Sequence, residues 1–173
     1  MATRKPQRGR KTAGPAGRGA PSGGVGHGEF VVYPGVPGGM YELLERLSAA
    51  AGDSPDLGSP GISLDRTRLT VRWFGELPPA VRAVVESAGV GFAVAVQQTE
   101  FRPGDLRAEA ERLVREHSGI VAAASARPEG DGIEVLVPPE VTGSAGGAAA
   151  ALEQHGVVSG FPLFAEVGST LPG

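Results

Sequence analysis

The stretch from Gly61 to Gly119 limits the possible folds more than any other, because three periodicities follow one another there with clear punctuation between them. Leu69, Val71 and Trp73 alternate with Thr70 and Arg72, the period-2 signature of a half-buried strand whose core side is the Trp73 side. A breaker over residues 75–79 follows. Val81, Val84, Val85 and Ala88 then recur at helical spacing, and the preceding prolines suit a first helical turn because those N–H groups lack intrahelical partners anyway. Phe92, Val94 and Val96 alternate again. Leu106, Ala110, Leu113, Val114 and His117 trace the apolar stripe of a longer helix that closes by Gly119. The central order is strand, helix, strand, helix.

On either side the pattern continues. Met40, Leu43, Leu44, Leu47 and Ala51 predict an amphipathic helix over residues 39–51, stopped by Gly52, and residues 53–61 read as a turn-rich connector. Residues 62–65 and 68–74 flank Arg66-Thr67, so they are either a tight hairpin or one bent strand; that dipeptide lacks the Gly or Asn favoured in two-residue turns. Residues 120–126 and 133–137 flank a segment containing Pro128, Gly130 and Asp131-Gly132, strong turn signals that predict a hairpin. Residues 141–147 read as a loop and 148–155 as an alanine-rich helix. Residues 161–167 read as a last strand, which Pro162 places at an edge. No internal repeat at a fixed period is visible, although helix followed by strand recurs three times, which hints at related subunits of the fold. The sum is an α+β fold: a mixed, mostly antiparallel sheet with helices largely on one face, loosely a ferredoxin-like plait.

Charge divides the chain differently. Arg4, Lys5, Arg8, Arg10, Lys11 and Arg18 give the first 28 residues +6 with no acid, leaving 10 of the 16 basic residues against all 19 acidic ones, or −9, for the remainder. Those first residues are rich in Gly, Pro and Ala and nearly devoid of large apolar side chains, a composition that predicts a disordered arm. The expected organisation is therefore an arm (1–28), an extended linker (29–38) with a β-prone run at 29–33, an α+β domain (39–168) and a short tail (169–173). No apolar run reaches the ~18 residues of a membrane span, and the basic start lacks the apolar core of a signal peptide. The expectation is a cytoplasmic chain.

The search for chemistry is brief. The chain has no cysteine, so disulfides, thiolate metal sites and cysteine nucleophiles are excluded. Thr142-Gly143-Ser144-Ala145-Gly146 misses the nucleophile-elbow pattern because Thr142 stands where its first glycine should be. His27 falls in the arm, while His117 and His155 each fall at a predicted helix C-terminus, where an imidazolium meets the helix dipole favourably. No His spacing supports a metal site. Glu109, Glu111 and Glu116 alternate with Arg107, Arg112 and Arg115, the pattern of a solvated helix face. The glycine-rich runs at 35–39 and 143–147 lack the lysine of a P-loop. The residues thus predict no catalytic, cofactor-binding or metal site, and no cofactor. Trp73 belongs to the core, whereas Phe74 lies on the opposite face and is a candidate for contacting a partner or a second helix layer.

The segments from Ile62 to Trp73, Gly75 to Val81 and Ala108 to Leu113, with Gly130 to Val135 further on, resemble the pro-segment-like region that precedes the trypsin-like domain of actinobacterial serine protease homologues. The likeness runs from about Glu42 to Val167. It implies a small α+β unit, of secreted origin, that packs against a protease domain to assist its folding or block its cleft. It carries over no catalytic residue, for the resembling portion contains no triad motif and no signal peptide precedes it. The expected function is accordingly a non-catalytic protein-interaction module docking another, unidentified protein through its sheet face or the edge strand over residues 161–167, with Phe74, Phe161, Leu163 and Phe164 as candidate contacts. The alternative is a nucleic-acid-associated protein in which Arg4, Lys5, Arg8, Arg10, Lys11 and Arg18 bind phosphate backbone through counterion release. An enzyme with a dispersed acid site is the third class.

Overall fold

A computed structural model of the chain describes residues 35, 37–143 and 145–168, and sorts their apolar periodicities into five helices and six strands. The predicted arm, the β-prone run at 29–33, Ser144 and the tail at 169–173 lie outside the described residues. In chain order the elements are α1 (Gly38–Ala51), β1 (Gly61–Ile62), β2 (Arg68–Trp73), α2 (Pro79–Glu86) and β3 (Ala93–Gln98), then α3 (Pro103–Glu116), β4 (Ala123–Ala126), β5 (Ile133–Val137), α4 (Pro139–Thr142), α5 (Ala148–Gln154) and β6 (Leu163–Val167). Proline opens four of the five helices: Pro37 caps α1, and α2, α3 and α4 each carry it in the first turn. A residue with fixed φ and no N–H to lose is preorganised for that place. Gly52 ends α1 with φ +56.

The α+β class and the mixed strand pairing are as expected, but the strands form two sheets of three, ordered β1-β2-β3 and β4-β5-β6. In each sheet the first pair is antiparallel and the second parallel, so the pairing is evenly mixed and not mostly antiparallel. The two halves therefore repeat one plan: helix, antiparallel strand pair, helical crossover, parallel edge strand. Pro37-Gly38 and Glu45-Arg46-Leu47 of α1 return as Pro103-Gly104 and Glu111-Arg112-Leu113 of α3. Met40 and Leu47 are buried in the first core, and their counterparts Leu106 and Leu113 in the second. The two arginines also do the same work. Arg46 hydrogen-bonds Ser87 Oγ just beyond α2, and Arg112 donates to the Val158 carbonyl (2.9 Å) beyond α5.

The helices cover one face of each sheet; on the other face of the first sheet only the Arg72–Phe74 end is covered, by the connector at Gly58 and by Arg102 and Pro103 at the start of α3. Leu69, Val71 and Trp73 of β2 meet Met40, Leu43, Leu47 and Val81, with Trp73 only 1% exposed; burying such side chains contributes about 1.5–3 kcal/mol each. Ile133, Val135 and Val137 of β5 meet Leu106, Leu113 and Ala151 in the second core. The ambiguous segment around Arg66-Thr67 is a hairpin with a wide turn. Ser63 Oγ donates to Asp65 Oδ1 (2.6 Å), the Thr67 N–H donates to the same carboxylate (3.2 Å), and Arg66 takes φ +60. These bonds supply what a missing Gly or Asn would otherwise give, and they hold the Asp65 carboxyl below its ordinary pKa. The expected loop at 141–147 begins with the one-turn helix α4.

Candidate partner-binding surface

The halves join where the connector between α1 and β1 meets the start of α3. The Gly104 N–H donates to the Pro55 carbonyl (2.7 Å), Arg102 Nε pairs with Asp56 (2.8 Å), and the Phe101 N–H donates to the Gly130 carbonyl (2.9 Å). Glycine is required at both contacts. A Cβ on Gly104 would lie 2.5 Å from Pro55 Cβ, and one on Gly130, which has φ +73, would lie 2.4 Å from Thr99 Cβ. Beside this junction lies an open hollow of about 310 Å³, bounded by Gly58, Pro103, Arg107, Glu111, Ser125 and Arg127. Its ionisable groups are not gathered in a buried cluster: Arg107 and Glu111 are exposed and Arg127 is half-buried. Among the described residues no three His, Asp or Glu side chains converge to hold a metal ion, and no helix is long and apolar enough to cross a membrane.

An arginine and two glutamates on α3 tie elements together. Arg112 grips Glu109 with two bonds (2.7 and 2.8 Å) and Glu116 with a third (2.6 Å), besides its bond to Val158. The Arg112 guanidinium holds the Glu109 carboxyl down at about 2 against an ordinary 4.5, and the two carboxylates raise the Arg112 pKa in return. Every bond of that set is internal, and it ties α3 to the segment at Val158. His117 and His155 cap α3 and α5 as expected from their positions.

Of the four aromatic and aliphatic residues expected at a docking surface, Phe164 alone is exposed, at 38%. Phe161 stacks edge-on against Phe101, ring centres 5.3 Å apart, and both pack on the second core. Leu163 is half-buried against the same core. Phe74 is half-buried beneath the Arg102 guanidinium, 5.7 Å from its ring centre, so what covers it is the residue just before α3. Arg4, Lys5, Arg8, Arg10, Lys11 and Arg18 lie outside the described residues.

Strand β6 is at a sheet edge, as Pro162 suggested. The Ile133 N–H donates to Pro162 O (2.9 Å) and the Gly168 N–H to Val137 O (3.0 Å). In a parallel ladder these bonds fix the phase: alternate residues 162, 164, 166 and 168 bond inward, and Leu163, Ala165 and Val167 turn their N–H and C=O outward. Sequence reasoning did not single out the matching edge, β3. Bonds from Ala93 N–H to Thr67 O and from Thr99 N–H to Trp73 O give it the same phase, with Val94, Val96 and Gln98 outward. Its residues Ala93–Gln98 include no charge and no proline, the devices that usually blunt an edge.

No protein-family model matches this chain, and no curated protein and no solved structure matches it significantly.

Proposed function

We propose that the chain is a non-catalytic protein-interaction module, pro-segment-like in character, that docks a partner polypeptide along the outer edge of β6. The observation that carries this reading is the row of outward backbone groups at Leu163, Ala165 and Val167, with the exposed Phe164 beside it. An extended segment added to such an edge gains main-chain hydrogen bonds, and the alternating side chains set its specificity. The resemblance noted in the sequence names the partner to try first, a trypsin-like serine protease domain, which the module would chaperone or inhibit. The test mixes the chain with such a domain from an actinobacterial homologue and measures binding by calorimetry and refolding yield. Ala165→Pro removes the central outward donor and leaves the inward N–H groups of Phe164, Glu166 and Gly168 in place. Binding by the native chain and its loss in the variant support the proposal, and absence of binding by either rejects this partner class.

A second reading rests on the segregated charge of the sequence, +6 within the first 28 residues. In it the arm binds nucleic acid, and affinity falls steeply as salt rises. Deleting residues 1–28 then abolishes DNA binding, whereas equal binding by both chains removes the arm from consideration.

A further inference from the structure

Helices cover one face of each sheet, and the two faces left bare differ in sign and in shape. On the first sheet the bare face carries Arg68, Thr70 and Arg72 of β2 beside Ala93, Ala95 and Gln97 of β3, as the alternation with buried Leu69, Val71 and Trp73 and the strand register require. Arg68 is exposed on it, Arg72 is half-buried against Gly58 and Gly61 with its Nη1 on the Ser59 carbonyl, none of these residues is a carboxylate, and the β3 side is floored by alanine. On the second sheet the bare face carries Glu134 and Leu136 of β5 beside Phe164 and Glu166 of β6. Around Phe164 lies a shallow hollow bordered by Glu129, Glu134 and Glu166, and the one cation there, Arg127, sits 3.7 Å over the Phe164 ring and pairs with Asp131 (3.2 Å) and Glu129 (3.7 Å). Four carboxylates thus face one guanidinium that two of them already neutralise.

We propose that the bare face of the first sheet binds the bare face of the second sheet in another copy of this chain. Phe164 and Leu136 seat on the small side chains Ala93 and Ala95, and Arg68 and Arg72 meet Glu134 and Glu166. Sheets stack face to face about 10 Å apart when large side chains on one meet small ones on the other, and opposed charge fixes the register and rejects like faces. Neither face meets its own kind favourably: arginine would face arginine, and glutamate would face glutamate. Because every copy has both faces, two copies can pair reciprocally or several can pair in a row. This contact uses sheet faces and leaves the outward backbone groups of β6 free; it shares only the Phe164 side chain with the docking reading above, and the charge-exchange variants below leave Phe164 and those backbone groups in place.

The test is cross-rescue by charge exchange, read by sedimentation of the full chain. Arg68→Glu with Ala95→Glu makes the first face acidic and spares Arg72, whose Nη1 donates to the Ser59 carbonyl. Glu134→Arg with Glu166→Arg makes the second face basic. The native chain is expected to self-associate at micromolar to millimolar concentration and to dissociate as salt rises, and each variant alone to weaken association by at least about tenfold. An equimolar mixture of the two variants restores the association, since each then offers the face the other needs. The milder pair Glu134→Gln with Glu166→Gln, checked for native circular dichroism, gives the same direction should a reversal disturb folding. A native chain that sediments as a monomer throughout, association that neither variant changes, or a mixture that fails to recover it would each overturn the proposal.

Discussion

Gly39 and Gly104 occupy the second position of α1 and α3, and the same substitution should move stability in opposite directions at the two. Alanine in place of glycine in a helix gains up to ~1 kcal/mol from propensity. At Gly39 the added Cβ would find only Phe92 Cε1, at 3.7 Å, an ordinary van der Waals contact. Gly39→Ala should therefore stabilise the protein by about 0.5–1 kcal/mol. At Gly104 the same Cβ would lie 2.5 Å from Pro55 Cβ, 3.0 Å from its Cα and 3.1 Å from its carbonyl oxygen. A proline ring and two backbone atoms cannot rotate aside, so the connector must retreat. Retreat weakens the Gly104–Pro55 hydrogen bond (2.7 Å) and pulls on the Arg102–Asp56 pair beside it. Overpacking of this kind costs about 1–3 kcal/mol and the hydrogen bond about 1. After the propensity gain, Gly104→Ala should lose roughly 1–3 kcal/mol.

Urea unfolding read by far-ultraviolet circular dichroism measures both. With a slope near 2 kcal/mol/M, the midpoint should fall by about 0.5–1.5 M for Gly104→Ala and rise by about 0.3–0.5 M for Gly39→Ala. Pro55→Gly placed on Gly104→Ala removes the nearest atom and should recover part of the loss. A midpoint for Gly104→Ala at or above the native value would refute the close approach of connector and helix on which the union of the two halves rests.

Two further outcomes follow from the same structure. Glu109 is 15% exposed and its carboxyl is held at about 2 by Arg112, so its contribution is complete above the ordinary 4.5 and is lost as pH falls toward 2. Because Arg112 is itself partly solvated, that contribution is about 1–2 kcal/mol; Glu109→Gln should show this deficit in urea melts at pH 7 and almost none at pH 2, and an equal deficit at both would refute the ion-pair account. Trp73, the sole tryptophan, reports the first core alone, while circular dichroism sees both halves. Their unfolding transitions should coincide in the native protein and separate in Gly104→Ala, and separate transitions in the native protein would refute coupling through the junction.

Much of the architecture was legible in the sequence because burial wrote it there. The alternation of Leu69, Val71 and Trp73, the stripes of α1 and α3, the hairpin closed by Gly130 and Gly132, and the edge position marked by Pro162 each follow from one local rule. The duplication was legible only as a recurrence of helix then strand, because its period drifts: Pro37 to Pro103 is 66 residues, Leu69 to Ile133 is 64, Pro78 to Pro138 is 60, and Val94 to Leu163 is 69. The connections between matching elements differ in length, and only the strand pairing restores the correspondence. The division into two sheets was hidden for the same reason, since strand identity says nothing about which strand lies beside which. The candidate contacts divided along a similar line. Aromatic character alone could not distinguish Phe161, which Phe101 and the second core half-bury, from Phe164, which the sheet turns outward.

Two helices can shield one face of a three-stranded sheet, but they leave its other face and its outer strand to solvent. Building the fold from two such sheets, instead of one larger sheet, doubles the uncovered faces and edges while keeping each core small. The apolar rows of β2 and β5 are both spent inward, so what remains outside is decided by the intervening residues, and these differ between the halves. Arginine and alanine fill the first bare face, and glutamate with Phe164 fills the second. A duplicated plan whose buried positions agree and whose bare positions oppose one another in charge and size is what contact between copies would require. The ionisable groups held most tightly, Arg112 with Glu109 and Glu116, are consumed in bracing α3, so among the described residues the contacts proposed above fall on the sheet faces and the outward edge of β6.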